Sequence, residues 1–413
     1  AMNANLFDIL ETGITDPDAT AIETAVGERI SYGDLVARTG RMANTLVSLG
    51  VGPGDRVAAQ VEKSVEAIIL YLATVRAGAV FLPLNTGYTP AEMDYFIGDA
   101  TPAVLVCDPA RADALAKGAG SAGARILTLD AGGQGSLTDA VASQPVDFAT
   151  VARDADDLAA LLYTSGTTGR SKGAMLTHGN LVSNTHALRE AWRYDASDVL
   201  IHALPIFHTH GLFVATNVTL FSGASMIFLP KFDPDRIMGL MDRATVLMGV
   251  PTFYVRLLQD DRLDRATTAH MRLFISGSAP LLAETHRDWQ ARTGHAILER
   301  YGMTETNMNA SNPYDGDRIA GTVGMPLPGT EIIVTDPETG AELPRGEIGM
   351  IETRGPHVCR GYWRNEEKTR AEFRENGFFV TGDLGLIEPD GYVRIVGRGK
   401  DLIITGGFNV YPA

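Results

Sequence analysis

The chain has 413 residues, which at about 150 residues per domain leaves room for two or three domains. Its 45% apolar and 21% charged residues are those of an ordinary globular protein, and disordered, collagenous and fibrous classes are excluded. A net charge of −15 argues against a general nucleic-acid surface, so any anionic substrate has to be met by local cations.

The N-terminal segment carries Asp8 and Glu11 where a secretory signal needs a basic and then an apolar run, and Ala1 before Met2 reads as an added residue. Ser31 and Asp34 then open a helical pattern with Leu35, Met42, Leu46 and Leu49 on one face and Gly50 as its stop. A strand at Val57 to Val61, a helix from about Ser64 to Ala77 closed by Gly78, and the apolar run Val80 to Leu82 form a βαβ unit. The longest apolar stretch, Ala67 to Val75, lies inside that helix and is far short of the ~18 residues of a membrane span, so no membrane partner is expected. Thr89, Pro90 and Glu92 start another helix before the buried strand Ala103 to Cys107. Cys107 and Cys359 are too few for a disulfide framework or a zinc cluster, and a reducing cytoplasm is the expected setting.

The alternation returns after Asp198 in the runs Val199 to Ala203, Ala224 to Leu229, Val246 to Val250 and Arg272 to Ile275, predicting a second doubly wound layer. After about Asn312 the period shortens, and Thr339-Gly340 and Pro389-Asp390-Gly391 are hairpin signals of a small β-barrel. The predicted fold class is therefore α/β, with two doubly wound, mainly parallel sheets plus a small β-barrel. Residues 1–185 form the first layer, 186–312 the second and 313–398 the barrel.

The most informative string, YTSGTTGRSKG from Tyr163 to Gly173, follows the apolar strand Leu158 to Leu162. Gly166, Gly169 and Gly173 let backbone N–H groups approach phosphate oxygens, Thr164, Ser165, Thr167 and Thr168 add hydroxyls, and Lys172 adds charge. It is not a Walker loop, which would need Gly at 171 and a hydroxyl residue at 173, where the chain has Ser171 and Gly173. Further on come LPIFHTHG (204–211), SGSAP (276–280), ERYGMTET (299–306), TGD (381–383) and GRGKDLIITGGFNVYP (397–412).

In these strings and their order the chain resembles the adenylate-forming superfamily of acyl-CoA synthetases, luciferases and peptide-synthetase adenylation domains, and within it the malonyl-CoA synthetases. The resemblance implies ATP-dependent activation of a carboxylate to an acyl-adenylate, with pyrophosphate released, followed by thioester formation with coenzyme A. It implies Mg2+ held by Glu305 and Thr164, and triphosphate contacts from Thr164 to Thr168 (Thr164, Ser165, Gly166, Thr167, Thr168), Lys172 and Thr304. The wall around adenine and ribose is implied to be Gly277, Ser278, Ala279 and Pro280, with Glu299, Arg300, Tyr301, Gly302 and Met303 opposite. Tyr301 is expected to stack on adenine, Asp383 to bind the ribose hydroxyls, and Arg398 to touch ribose or phosphate.

His208 and His210 lack a nearby Cys or carboxylate set for a metal, and His208 is read as a gate beside the acyl site. Arg256, in MGVPTFYVRLL, is expected to hold a second carboxylate bidentately with a hydroxyl from Ser276 or Ser278, which points to malonate. The thiol is expected to arrive past Gly406, Gly407 and Phe408, and Lys400 is the implied hinge between residues 1–398 and a small C-terminal domain begun at 399–413. Because family members continue beyond Ala413, the chain is expected to be a truncated form that binds ATP and adenylates poorly. Alternatives are methylmalonate or another short acid, and a non-catalytic adenylate-binding module. A monomer or homodimer without nucleic-acid partners is expected.

Overall fold

The computed structural model describes residues 3–164 and 170–399 and the backbone of two short strands, Ile403–Thr405 and Phe408–Val410. Ser165 to Gly169, Lys400, Gly406 and Gly407 lie outside the described residues, as does the side chain of Phe408, so the expectations placed on them are not addressed by it.

Local signals act where the sequence puts them. The Ser31 hydroxyl accepts from Asp34 N at 3.1 Å to start the helix Tyr32–Ser48, and Leu35, Met42 and Leu46 bury its inner face. Ser64 caps Val65–Arg76 through Ala67 N at 3.1 Å, and Gly78 leaves that helix at φ 78°. Thr89 and Glu92 form a reciprocal capping box at 3.2 and 3.0 Å around Pro90–Ala100.

Two sheets carry the molecule. The first has six strands in the order Arg125–Thr128, Val104–Cys107, Arg56–Gln60, Val80–Pro83, Leu158–Thr164 and Lys172–Thr177, parallel except for the last. The second has nine strands. At its centre Leu298–Met303, Leu273–Ser276, Val246–Gly249 and Val199–His202 run parallel side by side. Thr20–Thr24 belongs to this second sheet, pairing in parallel with Ser225–Phe228, although it precedes every strand of the first. One continuous core joins the two sheets and the helices between them. The β-rich region is a four-stranded antiparallel meander, Glu331–Thr335, Gly349–Arg354, Phe379–Ile387 and Val393–Arg398, with its own small core. A bridge from Gly324 to Val393 joins it to the end of the nine-stranded sheet.

Candidate active site

A cavity of about 840 Å³ opens at the carboxyl ends of those four adjacent parallel strands, where a doubly wound sheet presents loops to a ligand. The segments that follow the strands supply His208, Ser278, Thr304 and Glu305, the helix after Val246–Gly249 supplies Phe253, and the end of Leu298–Met303 supplies Gly302 and Met303. The first sheet contributes Thr164 and Lys172 from its edge hairpin, and the small sheet contributes Thr381, Gly382 and Arg398. Three separate units thus converge on one space.

At one end Thr164 and Lys172 are register partners, so the two predicted phosphate ligands flank the base of the same hairpin. That base is held from outside: Tyr95 donates to Ser171 O at 2.6 Å and Tyr163 to Asp99 at 2.6 Å. Lys172 shares the wall with Lys368, and its pKa is lowered first by burial and then by that second ammonium group. Glu305 is buried, and burial raises its carboxyl above the usual range. The Tyr362 hydroxyl contacts Glu305 at 2.8 Å and also Glu372, which holds Lys368 Nζ at 2.8 Å. Thr304 lines the cavity beside Glu305.

On the nucleoside side, Gly302, Met303 and Arg398 line the cavity as the motif reading expected. Tyr301 and Asp383 stand behind that wall. Tyr301 is packed in the core of the small sheet and donates to Asp383, whose other oxygen accepts from Arg398 Nη1 at 2.5 Å. Glu299 is also withdrawn, accepting from Gly321 N at 3.1 Å, and burial pushes its carboxyl up to about 7. Gly277 keeps its backbone against a side chain: a Cβ there would sit 2.1 Å from the Arg300 guanidinium carbon. Ser278 follows at φ 71° and lines the cavity, whereas Ala279 and Pro280 are exposed outside it.

The end expected to hold the acid departs from expectation at Arg256 and Ser276. Arg256 is exposed on the helix Pro251–Leu258, its guanidinium 4.8 Å above the Phe232 ring, and does not line the cavity. Phe253 of the same helix does, stacked on Phe232 at 4.2 Å, so this helix turns an aromatic ring rather than a cation to the cavity. The cation inside is Arg300. It is buried, its Nε has no partner, and its longest reach is from Nη2 to Ser278 Oγ at 3.4 Å. Among the described residues no carboxylate faces it, and burial lowers its pKa to about 9. Ser276 is buried with an unpartnered hydroxyl and is not part of the wall.

His208 lines the cavity, and burial keeps it below its usual pKa. His210 is held well below its usual pKa first by burial and then by Arg300, and its Nδ1 lies 3.5 Å from Ser278 Oγ. Both sit at the entrance of a π-helix, His210–Thr216, a geometry that recurs at functional sites. It is fastened from beneath: His202 Nε2 donates to Gly211 O at 2.9 Å, so Nδ1 accepts from Lys63 Nζ at 2.8 Å. Gly211 is required there, since a Cβ would lie 1.8 Å from Pro205 O. Among the described residues no group of three or more His, Cys, Asp or Glu could cage a metal.

Sequence reasoning missed Thr209, Met308, Tyr362, Lys368 and Glu372, all of which line the cavity. The last three sit in GYWRNEEKTRAE, on and before the helix Glu366–Glu372, far along the chain from any phosphate motif.

Comparison with known proteins is consistent with this geometry. The family model described as "AMP-binding enzyme" matches residues 11–363. The chain is 69% identical to ATP-bound MatB from Rhodopseudomonas palustris, with a TM-score of 0.98 over 100% of this chain and 82% of that one. It is 35% identical to a feruloyl-CoA synthase of an Amycolatopsis species (96% of this chain, 79% of that one). It is 31% identical to malonate–CoA ligase of Arabidopsis thaliana (99% and 74%).

Proposed function

We propose, from the premise that the chain belongs to the AMP-binding enzyme family, that this acid–thiol ligase joins malonate to coenzyme A with cleavage of ATP to AMP and pyrophosphate. The observation that carries the choice of acid is Arg300. A buried guanidinium without a counter-charge costs several kcal/mol unless an anion reaches it, and a dicarboxylate brings that anion in its non-reacting end. A feruloyl group, which a relative of comparable identity uses by its name, offers a phenol there and leaves the cation uncompensated.

In the first step an oxygen of one malonate carboxylate attacks the α-phosphorus of ATP, and the bond to the β-phosphate oxygen breaks to release pyrophosphate. In the second, the coenzyme A thiol loses its proton, its sulfur attacks the acyl carbon, and the bond to the AMP oxygen breaks. For the first step two anions must meet. Thr164, Lys172 and Thr304 bind and orient the phosphates, while Arg300 and Ser278 fix the far carboxylate so that the near one points at phosphorus. His208 lines the approach, and burial lowers its pKa and so disfavours the imidazolium.

The oxygen donors Glu305 and Thr164 suit a hard cation. The Glu305 carboxyl is buried, faces the cavity and has a raised pKa, a penalty that a bound cation would relieve. Mg2+ held there would neutralise phosphate charge. With so few protein donors, phosphate oxygens and water would complete its shell.

No helix among the described residues is long and apolar enough to cross a membrane, and both cysteines are buried free thiols. A reducing cytoplasm suits them.

The test is AMP formation with coenzyme A across malonate, methylmalonate, acetate, butyrate and ferulate. The proposal expects malonate to lead butyrate by about a hundredfold in kcat/KM, the ratio a lost charged contact of ~2.7 kcal/mol produces. Ferulate leading the panel would replace it with the aromatic-acid reading.

A further inference from the structure

The phosphate end of the cavity holds two ammonium groups. Lys172 comes from the edge hairpin of the first sheet, and Lys368 comes from the short helix Glu366–Glu372, capped by Asn365 through Lys368 N at 3.1 Å. The sequence motifs account only for the first. Two cations on one wall repel each other; Glu372 and Glu305 offset part of that repulsion, and an anion lying between the two ammonium groups would offset more.

We propose that Lys368 is a second phosphate-binding cation, which together with Lys172 grips the pyrophosphate portion of the triphosphate, and that Glu372 holds it in place until that anion arrives. This rests on the nucleotide reading above. Three features carry it. Lys368 and Glu372 both face the cavity, whereas their helix neighbours Glu366, Glu367 and Arg370 are exposed. The Lys368–Glu372 bond of 2.8 Å is an i,i+4 pair whose side chains keep 31% and 23% of their exposure. Such a partly exposed pair is weak, so a polyphosphate, which offers several charge-assisted acceptors, readily displaces the carboxylate. Glu372 also lies against the Tyr362 hydroxyl, whose single proton is shared with Glu305, so on release of Lys368 that proton can turn to Glu372.

No bond to Lys368 forms or breaks in the reaction. Its work is to bind the leaving group and to stabilise the charge that gathers on the β-phosphate oxygen as the bond to the α-phosphorus breaks.

The discriminating experiment titrates sodium pyrophosphate, ATP and AMP into the wild-type chain and into Lys368→Ala, Lys368→Arg and Glu372→Gln, with heat as the readout. Lys368→Ala is expected to weaken pyrophosphate about tenfold, the loss of ~1.4 kcal/mol for one charge-assisted contact, with AMP unchanged within about twofold. Lys368→Arg restores pyrophosphate binding, and Glu372→Gln preserves or strengthens it. Equal pyrophosphate affinity in wild type and Lys368→Ala overturns the inference. So does an equal loss of AMP, which marks a structural role, and so does a Glu372→Gln that behaves as Lys368→Ala, which marks a simple helix ion pair. A wild-type chain that takes neither ATP nor pyrophosphate overturns the nucleotide reading itself, and the inference with it.

Discussion

Tyr301 gives its hydroxyl proton to Asp383 and thereby ties the motif strand Leu298–Met303 of the large sheet to the TGD turn of the small one. The same carboxylate is held by Arg398 at 2.5 Å, so Asp383 links the two units before any nucleotide arrives. Tyr301→Phe is expected to lower unfolding stability by about 1–3 kcal/mol, as the loss of a buried hydrogen bond to a charged group does. Chemical denaturation with an unchanged m-value checks it. Asp383→Asn should in addition weaken ATP about tenfold, because it leaves Arg398, a cavity residue, without its anchor.

Gly277→Ala tests the packing that presents Arg300. The added Cβ would fall 2.1 Å from the guanidinium carbon, so the cation has to move. The expected outcome is a KM for malonate raised about tenfold or more with the KM for ATP little changed, read from initial rates in which each substrate is varied separately.

Glu299 sets a pH dependence on the alkaline side. Its folded pKa of about 7 lies above the ordinary 4.5, so the folded chain holds this proton more tightly than the unfolded chain does. The stability this contributes is complete below about 4.5 and is lost as pH rises through 7, at a slope of at most about 1.4 kcal/mol per pH unit. Glu299→Gln should flatten that part of the profile and be more stable than wild type at pH 8, measured by thermal unfolding across pH.

His178 acts in the opposite direction. It is buried, accepts from Leu6 N at 2.9 Å and is depressed to about 4, so protonation favours the unfolded chain. Its contribution is complete above about 6.5 and lost as pH falls towards 4. Circular-dichroism melts of His178→Gln between pH 4 and 7 should show a shallower acid loss than wild type.

What the sequence displays is what is local. The caps at Ser31, Ser64 and Thr89, and the hairpin glycines Gly340 and Gly391, act within a few residues, so they are readable from spacing. Pairing of Thr20–Thr24 with Ser225–Phe228 has no local signature, because parallel strands meet through long crossovers whose destination periodicity does not encode. Thr164, Lys172 and Glu305 lie in recognisable motifs and could be read as candidates, but Lys368 lies on a short polar helix that reads as solvated surface. Arg256 and Arg300 are told apart by burial, which neither motif displays. A cation amid apolar helix residues drew attention to Arg256, while the one the cavity encloses was hidden inside a motif that the resemblance assigned to the nucleoside.

If Arg300 selects an acid with a second carboxylate, the ratio of kcat/KM for malonate to that for butyrate, measured in wild type and in Arg300→Leu, reads that selection out. The expected ratio is about a hundred in the wild type and falls towards one or below in the variant, with butyrate turnover kept or raised and the KM for ATP held. A variant that retains the wild-type ratio would contradict it.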